Sequence, residues 1–270
     1  MKNIILVPTD FTLVSEEAIH YSANLAKKLN ASIAIVHITG SDKDNELVQF
    51  KLSKISEQIK TKFDISVDTI SRKGSIFSTI NEICVEIGAK LMVLGTHGKV
   101  GVQQQLTGSF AHKVVSKSDV PVIVVQEGVA LNEEIRKIVF TVSSTANVRQ
   151  KVNWAVQIAK IFNAKIYIFN FPEVLKETRM AMNVIVNQIT NEFDKHSIEY
   201  EIHDAERNIN FGQQVLLFLK TIKADLIMIM SNPDKLNFMI SPYDEQIMFN
   251  KSGIPTMLIN PKDLQTYHWY

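Results

Sequence analysis

Short apolar runs alternate with longer stretches of helical period through the first half of the chain, which is the pattern of a parallel sheet covered by helices. Five strands are predicted there, over residues 4–7, 32–38, 65–70, 91–94 and 122–125. Several are almost unbroken β-branched runs, as strands buried on both faces require. Between the first two, the spacing predicts a helix over residues 15–29, with Ser15 as its cap and Glu16 and Glu17 in its first turn. Ala18, Ser22, Leu25 and Leu29 then share one face, and small inward residues suit close packing on a sheet. A further helix is expected over residues 108–117. Residues 44–62 and 173–195 read as long helices, each crossing from a second strand to a third. In the latter, Met180, Met182, Val184, Ile185 and Ile189 read as core packing, methionine being an ordinary gap filler.

The second half repeats this order at an offset of roughly 133 to 135 residues, a whole domain and not a short solenoid unit. Leu25-Ala26-Lys27 and Asn30-Ala31 recur as Ile158-Ala159-Lys160 and Asn163-Ala164. The run from Ala89 to Leu94 recurs from Ala224 to Ile229, and Val120-Pro121-Val122 recurs as Ile254-Pro255-Thr256. The expected architecture is therefore α/β, two tandem doubly wound Rossmann-like domains, each a five-stranded parallel sheet flanked by helices. Domains are expected over residues 1–128 and 136–261, with a linker between and a C-terminal tail over 262–270.

The length suits two domains better than one, and 46% hydrophobic against 21% charged residues describes packed cores, not disorder. With 29 basic and 28 acidic residues there is no broad attraction to nucleic acid or anionic lipid, so neither is expected as a partner. The single cysteine, Cys84, lies among Ile80, Ile83 and Ile87 and reads as a buried inert thiol. One cysteine permits no intrachain disulfide, which fits a reducing cytoplasm. The apolar run that opens the chain is too short for a signal peptide or a membrane span and reads as a strand. His196 and His203 have no acidic or thiol cluster beside them and read as surface residues, not as metal ligands.

The informative stretch is Leu94-Gly95-Thr96-His97-Gly98, followed after nine residues by Gly108-Ser109-Phe110. It starts where the fourth strand ends and finishes where a helix begins, and open parallel sheets bind ligands beyond the carboxyl ends of their strands. Glycine at 95 and 98 lets the backbone approach a ligand closely, and the amides opening the helix at Gly108 are natural phosphate partners, aided by the Ser109 hydroxyl. Asp10, just past the first strand, faces the same crevice. A carboxylate repels bare phosphate, so it accepts from ribose hydroxyls or holds a bridging magnesium ion.

Pro8-Thr9-Asp10 together with Gly, two residues, Gly, nine residues, Gly-Ser resembles the ATP-binding signature of universal stress proteins, and the duplication resembles tandem members of that family. The resemblance implies the adenine nucleotide alpha hydrolase-like variant of the fold. It also implies binding of ATP (or ADP or AMP), magnesium arriving with the nucleotide, at Pro8, Thr9, Asp10, Ile38, Leu94, Gly95, His97, Gly98, Gly108, Ser109 and the amide of Phe110. Asp10 would lie at the ribose and Ile38 at the adenine, with Leu94 and Gly95 lining the pocket and His97, Gly98, Gly108, Ser109 and the Phe110 amide around the phosphates. Phe110 is larger than the family's usual residue, and Gln103, Gln104 and Gln105 replace the usual basic loop side chains, so affinity is expected to be moderate.

In the second half the counterparts have changed. Asp10 corresponds to about Ser144, Gly95 to Met230, Gly98 to Pro233, and Gly108-Ser109 to Pro242-Tyr243. Bulky and imino residues remove the cradle, so only the first half is expected to bind nucleotide. The resemblance implies a stress-response regulator acting on an unidentified protein partner, with no catalytic residue assigned. A slow ATP hydrolase and an interaction module without nucleotide are the alternatives. The two halves resemble a covalently joined version of the family's dimer, an intramolecular pseudo-dimer, and the pairing of two whole chains into a homodimer stays open.

Overall fold

The computed structural model describes residues 3–40, 45–96, 108–128, 134–143, 149–231 and 242–260. The chain divides into two compact units, one formed by Met1–Val129 and the other by Ala130–Pro261. The expected tail lies outside the described residues.

In the first unit the elements run β1 (Ile4–Pro8), α1 (Leu13–Leu29), β2 (Ser32–Thr39), α2 (Asn45–Phe63), β3 (Val67–Lys73), α3 (Ile76–Glu86), β4 (Leu91–Thr96), α4 (Gly108–Lys117) and β5 (Val122–Gln126). The sheet order is β3-β2-β1-β4-β5 and every pairing is parallel. Strand order reverses between β1 and β4, the place at which open parallel sheets usually bind their ligands. Ile5, Leu6, Val7, Leu91, Met92, Val93 and Leu94 are fully buried, which is why these strands read as continuous apolar runs.

The second unit repeats the series as β6 (Lys137–Val142), α5 (Arg149–Phe162), β7 (Lys165–Asn170), α6 (Lys176–Lys195), β8 (Tyr200–Asp204), α7 (Phe211–Ile222), β9 (Leu226–Met230), α8 (Pro242–Met248) and β10 (Thr256–Ile259), with the order β8-β7-β6-β9-β10. Duplication reaches single backbone bonds. The amide of Ala31 donates to Ala26 and that of Ala164 to Ala159, both at 2.8–2.9 Å, closing a helix on a left-handed asparagine, Asn30 (φ 50°) or Asn163 (φ 50°). Likewise Met92 donates to the Pro121 carbonyl and Ile227 to that of Pro255. Asparagine tolerates the left-handed region better than most residues, which explains why it ends both helices.

Three expectations are corrected. The first helix starts at Leu13 with Thr12 as its N-cap, because the Ser15 hydroxyl donates to the Thr12 carbonyl at 2.8 Å instead of capping. The third strand begins at Val67, two residues later than expected; as a strand paired with β2 alone among the described residues it needs no long apolar run. On α6 the buried stripe is Met182, Val186, Ile189 and Phe193, spaced by four, three and four, while Met180 (61% exposed) and Val184 (56%) face outward. Cys84 is buried as expected. Among the described residues no helix is long and apolar enough to cross a membrane, and no group of acidic, histidine or cysteine residues could hold a metal ion.

Candidate functional site

The first unit's crevice is built by the turn between β1 and α1. Its geometry follows from short polar side chains that bond back to their own backbone. The Thr9 amide donates to the Val36 carbonyl at 2.8 Å, holding the turn onto β2. Ser15 spends its hydroxyl proton on Thr12, so it accepts from the Thr9 hydroxyl at 3.0 Å, and Thr9 in turn accepts the Phe11 amide at 3.1 Å. Phe11 is thereby held in the left-handed region, at φ 63°, a conformation costly for a bulky residue. Asp10 accepts both the amide (3.1 Å) and the hydroxyl (2.5 Å) of Thr12 on one carboxylate oxygen, Oδ1. Its other oxygen, Oδ2, is buried with no hydrogen-bond partner among the described residues.

Pro8, Thr9, Asp10 and Ile38 converge on one cleft of about 300 Å³, whose other walls are Val36, His37, Ile76 and Ile80. Sequence reasoning missed His37. Its Nδ1–H donates to the Thr9 carbonyl at 2.8 Å, and its ring lies 4.6 Å from that of Phe11, over which the Lys51 ammonium sits at 5.0 Å. The available signal was its place beside Ile38 at the end of a strand.

Leu94 is fully buried in the sheet and does not line this cleft. Gly95 is also placed differently from the expectation. A Cβ on it would meet the Val14 carbonyl oxygen at 2.5 Å and the Val14 carbonyl carbon at 2.9 Å, so the bare backbone admits helix α1 and not a ligand. Thr96, at the end of β4, has a buried hydroxyl with no partner among the described residues. His97 and Gly98 lie outside the described residues. Gly108, Ser109 and Phe110 form the first turn of α4, where unbonded amides are presented.

The second unit has its own crevice of about 270 Å³, lined by Thr141, Val142, Ser143, Lys151, Phe171, Phe211, Met230 and Tyr243. Because β1 starts at Ile4 and β6 at Lys137, the register makes Ser143 the counterpart of Asp10, one residue earlier than the sequence suggested, and Phe171 that of Ile38. Gly108-Ser109 and Pro242-Tyr243 both open their helices, and Gly95 and Met230 both stand in the fifth position of their strands. Pro233 lies outside the described residues. The same register sets Lys151 where the first unit has Ala18.

Lys151 is 1% exposed. Its ammonium nitrogen donates to the Thr141 carbonyl and lies 4.2 Å from the ring centre of Phe140. Burial pushes its pKa down to about 7, opposed by attraction to the Asp244 carboxylate on α8, itself 1% exposed.

Comparison with known proteins agrees with this fold. The sequence model of the universal stress protein family matches residues 1–126. A universal stress protein of Methanocaldococcus jannaschii is 27% identical over 139 residues, covering 46% of this chain and 81% of that protein. Universal stress protein YxiE of Bacillus subtilis is 28% identical over 148 residues, covering 47% of this chain and all of the relative. Over the whole length, the crystal structure of a universal stress protein from Archaeoglobus fulgidus superposes with a TM-score of 0.77 at 16% identity, covering 96% of this chain and 99% of that one. A protein of unknown function from Pseudomonas aeruginosa superposes at 0.62, covering 96% and 93%. At such identities these structures speak for the fold of both halves.

Proposed function

The first half of this chain belongs to the universal stress protein family, and we propose that this half binds an adenine nucleotide in the cleft at Asp10 while the second half binds none. The observation that carries the reading is the divided work of the Asp10 carboxylate. One oxygen is fixed by Thr12, which locks the group in place, and the other is a buried acceptor without a donor. A buried unmatched acceptor costs about 1–3 kcal/mol, and a ribose hydroxyl would satisfy it. The residues present fit such a ligand. Ile38, Val36 and Ile80 offer an apolar wall for a base, and the amides that open α4, outside the residues lining this cleft, are the partners proposed for the phosphates. The nucleotide would supply negative charge there, neutralised in part by its magnesium ion.

The role proposed is that of a stress-response regulator. A ligand at one hundred times its dissociation constant adds about 2.7 kcal/mol to the form that binds it, enough to shift a balanced equilibrium between two surfaces. With Gln103, Gln104 and Gln105 in place of the usual basic loop side chains, a micromolar dissociation constant, about −8 kcal/mol, is expected.

Calorimetric titration of the whole chain with magnesium ATP is expected to give one site. Asp10→Asn keeps an acceptor for Thr12 and turns the other oxygen into a donor, so it should weaken binding about ten- to a hundredfold, the scale of one charged hydrogen bond. A second site would overturn the assignment to the first half. No binding to the unmodified chain would favour an interaction module instead.

A further inference from the structure

Lys151 is an expensive residue for a place that the fold fills cheaply. The duplicated position in the first unit is Ala18, fully buried against the sheet, so packing at this point asks for a methyl group. The second unit instead carries a buried amine into its crevice and provides for it: a carbonyl acceptor at Thr141, the ring face of Phe140 and a buried carboxylate at Asp244. Around the amine the crevice has apolar walls in Val142, Phe171, Phe211 and Met230, and hydroxyls in Ser143 and Tyr243. Among the described residues lining or facing it, the titratable groups are Tyr243 and Asp244, both on α8.

We propose that the Lys151 amine is a nucleophile that captures a small uncharged aldehyde or ketone as an imine in the crevice of the second unit. The neutral amine attacks the carbonyl carbon with its lone pair, and the carbonyl π electrons move to oxygen, which takes a proton. Loss of that oxygen as water, carrying a second proton from nitrogen, leaves the carbon–nitrogen double bond. No oxidant or reductant enters. The imine nitrogen can then take up a proton and face Asp244, which supplies the countercharge. The buried carboxylate disfavours anionic carbonyl compounds, and the tight crevice around the amine favours small ones. Burial serves the chemistry by keeping much of the amine unprotonated near neutrality, the usual way in which an imine-forming lysine is prepared.

The test uses the unmodified full chain, so no variant has to fold. Brief exposure to propanal with cyanoborohydride, followed by peptide mass mapping, gives the rate of reductive alkylation at each lysine. At pH 7, Lys151 is expected to be alkylated at least tenfold faster than the median exposed lysine, with a rate that levels off above about pH 8 while the exposed lysines keep accelerating toward pH 10. The anion glyoxylate should show no such preference. Alkylation of Lys151 no faster than the median, or a rate rising in parallel with the others to pH 10, would overturn the proposal and leave Lys151 a structural cation. Because the readout is confined to the second unit, its failure leaves the nucleotide assignment to the first unit untouched.

Discussion

Asp244→Asn is expected to destabilise the second unit more at pH 6 than at pH 9, by up to about 1.4 kcal/mol, the most that a proton leaving the folded chain near pH 7 can contribute over that interval. The difference follows from the depressed pKa of Lys151. Below about pH 7 the amine is charged in the folded chain, and burial makes that charge costly unless Asp244 offsets it. Asparagine removes the offset, so the buried amine gives up its proton at a lower pH instead of staying charged. Near pH 9 the folded amine is mostly neutral in both proteins, so the charge between the pair no longer separates them.

The unmodified chain should show the matching slope. An unfolded lysine holds its proton up to about pH 10.5, whereas this folded one releases it near 7. Between those values the unfolded state binds more protons, so stability rises with pH, by up to about 5 kcal/mol if no other group responds. In Asp244→Asn the attraction that raises the lysine pKa is gone, and the rise should begin at a lower pH. Trp154, buried on α5, reports on this unit once Trp269 is replaced by phenylalanine. Urea unfolding followed by its fluorescence at both pH values decides the matter. An equal loss at pH 6 and pH 9 would mean that Asp244 acts through packing or hydrogen bonds and not through charge.

Lys151 also shows where sequence reading stopped. Its spacing of three, four and seven from Trp154, Ala155 and Ile158 sets it on the buried face of α5, but an isolated lysine is ordinarily placed on the wet side. The internal repeat gave a second flag, by setting a lysine against an alanine read as inward. The strands, by contrast, were legible nearly to the residue, because burial on both faces forces unbroken apolar runs in β1, β2, β4 and β5. That signal fades in β3, where the exposed Asp68 and Thr69 follow Val67 and the boundary slipped. In the site, Pro8, Thr9, Asp10 and Ile38 were recoverable because strand ends can be counted from the apolar runs. Phe11 and His37 were not, since their meeting depends on a left-handed backbone at Phe11 that no residue in the turn announces.

Gly95 separates two explanations of one motif element, and Gly95→Ala tells them apart. A glycine kept for ligand access can be replaced without harm to the empty protein; one kept for packing cannot. In β4 the added methyl would meet the Val14 carbonyl oxygen at 2.5 Å, with Ser15 nitrogen at 3.2 Å behind it. These are backbone atoms at the start of α1, and both residues are fully buried, so neither can swing aside as a side-chain tip would. Helix α1 would have to lift from the sheet, and overpacking of this kind costs about 1–3 kcal/mol or more. Gly40 is the control. A Cβ there meets nothing within 4 Å and its φ is not in the left-handed range, so Gly40→Ala should stabilise the first unit by about 0.4–1 kcal/mol through the unfolded chain. Hydrogen exchange of the β1 and β4 amides without nucleotide is expected to accelerate in Gly95→Ala and to slow in Gly40→Ala. If Gly95→Ala instead exchanges like the parent and loses only ATP affinity, the space beside Gly95 belongs to the ligand after all, because α1 would then have yielded at no cost.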